Sequence, residues 1–135
     1  MTPRSIFRRL LSLCAVVLAA AAAAEQDRFP AGSTFSADDG QGNTIATTFD
    51  SAGGMWVYVN GDGFGSFSYT VKGDELELKE ASMPPDYSCG AAVGKYKWKF
   101  ENERLVYTLV EDPCQYRVSY FTGLRWMRVS SEHSP

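Results

Sequence analysis

Histidine is all but absent from this chain: its one imidazole is His133, in the polar tail 130–135. Terminal stretches of that kind are usually unordered. Ser-His and Cys-His nucleophilic schemes therefore lack a base, and zinc hydrolase chemistry lacks ligands. Cysteine is scarce as well, with only Cys14, Cys89 and Cys114 and no C-x-x-C pair. Basic residues are outnumbered, 13 Lys and Arg against 16 Asp and Glu. Such an acidic chain argues against nucleic acid or anionic membrane surfaces as partners. No stretch carries the capped 3.6-residue apolar period that a helix of useful length needs. The reading that follows is a non-catalytic protein, with no catalytic residue, metal or cofactor expected.

What is present begins with an export segment. Arg4, Arg8 and Arg9 precede an apolar, Ala-rich run from Leu10 to Ala24, which ends abruptly at Glu25-Gln26-Asp27-Arg28. Ala22 and Ala24 supply the small residues that a signal peptidase requires, so residues 1–24 read as a signal peptide cleaved after Ala24. An uncleaved anchor is the rival, and the run is short and Ala-rich for that. Lipid attachment at Cys14 fits poorly with Leu13 before it and ten more apolar or small residues after it. The expected product is periplasmic or secreted, without stable membrane insertion, and monomeric. It has 111 of the 135 residues, the size of one domain. Loss of three arginines takes its formal net charge from −3 to −6.

Two cysteines then remain in a compartment where disulfides persist. A structural Cys89–Cys114 bridge is favoured over a redox pair, which wants closer spacing, and over a zinc site, which wants more ligands.

Turn signals recur every eight to twelve residues between β-rich runs, as in an all-β sandwich or barrel. The expected strands are 33–37, 44–49, 55–59, 66–72, 75–80, 95–101, 104–110, 116–121 and 124–129, the last two read as one bent strand if Gly123 only interrupts it. Tight turns are expected at Asn60-Gly61, Gly73-Asp74 and Asn102-Glu103. The insert 81–94, with Pro84, Pro85 and Cys89, reads as a loop tied down by the bridge. Residues 25–32 form a lead-in to a barrel domain spanning 33–129.

An internal repeat runs through the middle of the chain. The segment from Gly65 to Leu78 aligns with that from Gly94 to Tyr107 at a spacing of 29. Phe67, Tyr69 and Val71 match Tyr96, Trp98 and Phe100, while Leu76 and Leu78 match Leu105 and Tyr107. Alternate positions share one face of a strand, so each copy is a hairpin with an apolar side. Ser66, Ser68 and Thr70, or Lys95, Lys97 and Lys99, are expected on the wet side. The lysines read as a solubilising outer face opposite Glu75, Glu77 and Glu101, rather than as a docking stripe.

Asn60-Gly-Asp-Gly-Phe-Gly65 opens like a calcium loop. It fails at Phe64 and Val71, where that loop needs oxygen ligands. The many carboxylates sit in turns, where local backbone N–H groups satisfy them. A barrel of about eight strands either fills with side chains or holds one small ligand. Phe67, Tyr69, Tyr96, Trp98, Phe100, Tyr107 and Tyr120 are the candidates to line such a site, the alternative being that they are simply the core.

The motifs Gly94-x-Tyr96-x-Trp98, Asn102-Glu103-x-Leu105-x-Tyr107-x-Leu109-Val110, Asp112-Pro113-Cys114-x-x-Arg117 and Trp126-x-Arg128 resemble small secreted bacterial domains of the lipocalin-like (calycin) kind. The resemblance covers about residues 32–129. It implies an antiparallel up-and-down β-barrel, a bridge from the cysteine before the G-x-Y-x-W hairpin to the D-P-C cysteine, an internal ligand site and no cofactor. Lipocalins open with G-x-W, where this chain has Gly32-Ser-Thr-Phe35, and Arg128 is the expected cover for Phe35. Two functions follow as expectations. One is a carrier of a small apolar ligand. The other is a protein-binding module that inhibits a basic envelope enzyme, such as a lysozyme, or a protease, with loop 81–94 as the contact element.

Overall fold

A computed structural model describes residues 28–129. The expected signal peptide, Cys14 and the tail with His133 lie outside these described residues. Eight strands and one helix follow in order: β1 (Thr34–Asp38), β2 (Thr44–Phe49), β3 (Gly54–Val59), β4 (Asp62–Lys72), β5 (Glu75–Ser82), β6 (Gly94–Glu101), β7 (Arg104–Glu111), α1 (Gln115–Gly123) and β8 (Trp126–Arg128). Each strand pairs antiparallel with the next, and β8 returns to β1 through Phe35↔Arg128 and Ser36↔Met127. The sheet is thus a closed barrel without a free edge. Closure removes the unpaired N–H and C=O rows that make open sheets aggregate.

Inward alternation builds the core. Phe35, Phe49, Met55, Leu76, Leu78, Tyr96, Leu105 and Trp126 are all essentially buried. The repeated hairpins β4–β5 and β6–β7 stand side by side, joined by Glu75↔Lys97 and Glu77↔Lys95. Lys97 and Lys99 are exposed on the outer face, with Asp74 3.7 Å from Lys97 Nζ and Glu101 3.2 Å from Lys99 Nζ. Exposed pairs of this type contribute about 0–1 kcal/mol each, so these pairs add little to stability.

The tight turns form where expected. Asn60 and Gly61 take φ of 51° and 84°, and Asn102 and Glu103 take 52° and 61°, so each pair matches the twist that two-residue hairpins favour. Those at Gly73-Asp74 and Asn102-Glu103, with the turn after β2, gather at one end. There Phe29, from the lead-in, packs edge-on to Phe49 and Trp98 with ring centroids 5.1 and 5.2 Å away. Phe29 is buried and plugs this end.

Two expectations are corrected. Residues 116–121 are not a strand but the middle of α1, and β8 is confined to Trp126–Arg128. Tyr, Val, Phe and Thr dominate this segment, and such residues favour strands. Only Arg117 and Phe121, one turn apart, are buried along the helix. Its stability therefore comes from tertiary anchoring, not from an apolar stripe. Ser66 does stand on the outer side, opposite Trp56 in the β3–β4 register while Met55 and Phe67 face the core, but it is covered there and only 8% exposed rather than wet.

Candidate functional site

The end opposite the Phe29 plug is built from loop 83–93, the Asp112–Cys114 turn and α1. Three sequence features meet there. The Cys89–Cys114 disulfide links the loop to the start of the helix. Glu80 follows Leu76 and Leu78 on the inward parity of β5, and its carboxylate accepts hydrogen bonds from the Cys89 N–H at 3.0 Å and from Ser88 Oγ at 3.0 Å. The loop is thus held at both its disulfide and its backbone.

A buried ion pair forms the third feature. Asp112 and Arg117 have side chains that are 0% and 3% exposed. Arg117 donates from Nε to Asp112 Oδ2 at 2.5 Å and from Nη2 to Oδ1 at 2.7 Å, a two-point fork. Arg117 Nη2 also donates to the Ala92 carbonyl at 2.9 Å. Asp112 further accepts from the Tyr96 hydroxyl at 2.5 Å and from the Cys114 N–H at 2.9 Å. Burial pushes the Asp112 carboxyl up, but hydrogen bonds from Arg117, Tyr96 and the Cys114 N–H outweigh it and hold it below the usual carboxylate range. Burial, with the hydrogen bond to Asp112, raises the Tyr96 phenol well above its ordinary value.

Gly94 is the reason this cluster fits. A Cβ there would lie 2.5 Å from Asp112 Oδ2 and 2.9 Å from Arg117 Nε. The Gly94-x-Tyr96 and Asp112-x-x-x-x-Arg117 motifs are therefore two halves of one packed unit: the glycine makes room for the carboxylate, and the tyrosine donates to it.

Between α1 and the inner faces of β2, β3 and β4 lies a cavity of about 80 Å³. That is several times the roughly 10–15 Å³ that a single water needs. Its wall is mostly apolar, with Ile45, Val57, Phe67, Met83 and Trp126 among the contributors, and Thr47, Glu80 and Arg117 also belong to it. Tyr87, Tyr116 and Tyr120, all exposed, stand at its rim. Phe64, Tyr87 and Tyr116 form a ladder of edge contacts with centroids 5.2 and 5.7 Å apart.

Of the residues singled out from the sequence, Phe67 and Tyr120 line this cavity. Tyr69, Tyr96, Trp98 and Tyr107 belong to the packed core, and Phe100 lies partly buried against it. Arg128 stands directly opposite Phe35 in the β1–β8 register. Its guanidinium is held by Glu103, with Nε 2.6 Å from Oε2, and lies 5.0 Å above the Phe100 ring. Thr47, Val57, Glu80 and Met83 were not singled out. Two of them carry a signal, since Thr47 and Glu80 are polar residues on inward-facing positions of apolar alternations.

Among the described residues no group of three His, Cys, Asp or Glu side chains is arranged to hold a metal ion, and no helix is long and apolar enough to cross a membrane. The chain matches no protein-family model, no curated protein and no solved structure in the comparisons made.

Proposed function

We propose that this is an exported, lipocalin-like binding protein that takes up a small apolar molecule at the end of the barrel capped by α1. The observation that carries the reading is the cavity beneath the helix, with apolar walls from three strands and a rim of tyrosines. Ligand pockets are typically concave and apolar with a few convergent polar groups, and a closed barrel supplies such a site at its mouth. The volume selects ligands the size of a single substituted ring or a short chain, not a long lipid. A disulfide at the cavity wall, with Cys114 itself lining it, suits a protein working outside the cytoplasm.

The test is a titration with small apolar probes, followed by methyl NMR shifts of Ile45, Val57 and Met83. Saturable shifts confined to these residues are expected, and Trp126 fluorescence should change with them, while the core indole of Trp98 is a poor reporter. If such probes leave these methyls unmoved up to their solubility limits, the carrier reading is wrong.

A second reading, protein binding through the loops, is favoured by one observation. Tyr87, Tyr116 and Tyr120 are 41%, 56% and 37% exposed around the same mouth, and tyrosine is enriched at protein interfaces. Failure to slow basic lysozymes or secreted proteases would remove it.

A further inference from the structure

The inner wall of the cavity offers an occupant little to hydrogen-bond with. The Glu80 carboxylate is engaged by the Cys89 N–H and Ser88 Oγ, and Arg117 is engaged through Nε and Nη2 with Asp112 and the Ala92 carbonyl. Arg117 Nη1 and Thr47 Oγ1 are buried away from any accessible surface, so neither meets a ligand. The Trp126 indole N–H is held by the Tyr120 carbonyl at 3.2 Å. A polar group carried inward would lose its water without gaining a partner. Discrimination at this depth therefore rests on size and shape.

Met83 stands apart from the rest of that wall. Ile45, Met55, Val57 and Phe67 are fixed on paired strands, and Phe121 and Trp126 pack ring to ring at 6.2 Å. Met83 lies just past the end of β5, before Pro84-Pro85, and is partly buried against the core. Its side chain is unbranched, with a polarizable thioether that adapts to irregular gaps. That thioether fills a recess over Gly65 in β4. A Cβ on the glycine would run into Met83 Sδ and lie 2.8 Å from the Ser82 carbonyl oxygen. Gly65 has no positive φ, so no turn demands it. Glycine weakens a strand interior, and close approach by a neighbour is a reason to keep one there. The bare Cα of Gly65 thus seats Met83 in the wall.

We infer that Met83 sets the largest ligand the cavity admits, and that the part of the ligand inside is bare hydrocarbon. This rests on the cavity being a binding site and adds the rule by which it selects. Met83 is the specificity-determining position, because its side chain can be shortened while the strands, the disulfide and the Asp112–Arg117 pair are left alone.

n-Alkylbenzenes from toluene upward form the probe series, titrated against the disulfide-bonded full chain and read by the methyl shifts of Ile45 and Val57. Affinity should climb by about fourfold per added carbon, the effect of one buried CH₂, and then stop climbing at a cut-off length. In Met83→Ala, which removes Cγ, Sδ and Cε, the cut-off should move out by about two to three carbons. Met83→Leu, close to the parent in volume, should leave it in place. Should the alanine variant be too unstable to titrate, Met83→Val carries the same test with a shift of about one carbon. Benzyl alcohol, close to ethylbenzene in size, should bind more weakly than it by at least about fivefold. An unmoved cut-off in the shortened variants, with probes still binding, would overturn the inference and leave the carrier reading standing. An equal shift in Met83→Leu would overturn it in favour of a loosened loop, and benzyl alcohol binding as tightly as ethylbenzene would overturn the hydrocarbon interior. Binding of no probe by the parent would sink both readings.

Discussion

Replacement of Asp112 by Asn is the sharpest test of how the capped end is held together. Four hydrogen bonds converge on this carboxylate, two of them from Arg117, one from Tyr96 and one from the Cys114 N–H. Asparagine keeps a single acceptor oxygen, which the Cys114 N–H can still use, and turns its NH₂ toward donors. Arg117 would then be a buried charge without its counter-ion. Breaking a buried pair from one side costs about 3–5 kcal/mol. The retained Cys114 contact points to the lower end, about 3 kcal/mol, a large share of the roughly 5–15 kcal/mol by which domains are stable. With a urea slope of about 1–1.5 kcal/mol/M for this size, the unfolding midpoint should fall by about 2–3 M. Urea titration read by near-UV circular dichroism measures it. The effect also depends on pH in a fixed direction. Because the folded carboxyl titrates below its unfolded value, its contribution is complete above the unfolded pKa, about 3.9, and is lost as the pH falls through the folded one. The gap between parent and variant should be constant near neutrality and close below about pH 4. A midpoint within about 0.5 M of the parent, or pH profiles that stay parallel into acid, would refute the assignment of Asp112 as the centre of this cluster.

Gly94→Ala drives a methyl to 2.5 Å from the same carboxylate, so it should cost about 1–3 kcal/mol by overpacking; a neutral result in the same urea assay would mean that Asp112 and Arg117 shift freely. Cys114→Ser opens a bridge whose cysteines are 25 residues apart, worth about 3.5 kcal/mol in the loop-entropy model. Hydrogen exchange should rise first in loop 83–93 and α1, and unchanged stability in dithiothreitol would contradict this. Phe29→Ala removes the plug at the other end and should cost about 3–5 kcal/mol, without altering probe-induced shifts at Ile45 or Val57. A shift there would show that the two ends are coupled.

How far the fold could be read in advance follows from the kind of signal each part carries. Period-two alternation and Asn-Gly-type turns report on neighbours in sequence, so the strands from β1 to β7 and the repeated hairpins were legible to within a few residues. The segment after Asp112-Pro113-Cys114 was not. Its residues favour strands, and its helix exists because Cys114, Arg117 and Phe121 are each tied to something distant: the loop cysteine, the Asp112–Ala92–Gly94 nest, and the Tyr96–Tyr107–Trp126 rings. Of the seven aromatics expected at the site only Phe67 and Tyr120 line the cavity, for a related reason. The aromatics of the repeat are the most conspicuous residues in the chain, and Tyr69, Tyr96, Trp98 and Tyr107 are spent on packing.

By itself, then, the sequence determined an all-β domain of antiparallel hairpins, sandwich or barrel, with one Cys89–Cys114 bridge, because local alternation, turn chemistry and cysteine count each leave few alternatives; the closed barrel was what the lipocalin-like resemblance implied. Tertiary structure alone decided that residues 115–123 wind into a helix over one mouth, that Phe29 fills the other, and that Thr47 and Arg117, 70 positions apart, line one cavity. The physical reason is the same in all three cases. Each depends on which side chains a closed sheet brings face to face across the barrel, and that pairing across space leaves no periodic mark along the chain.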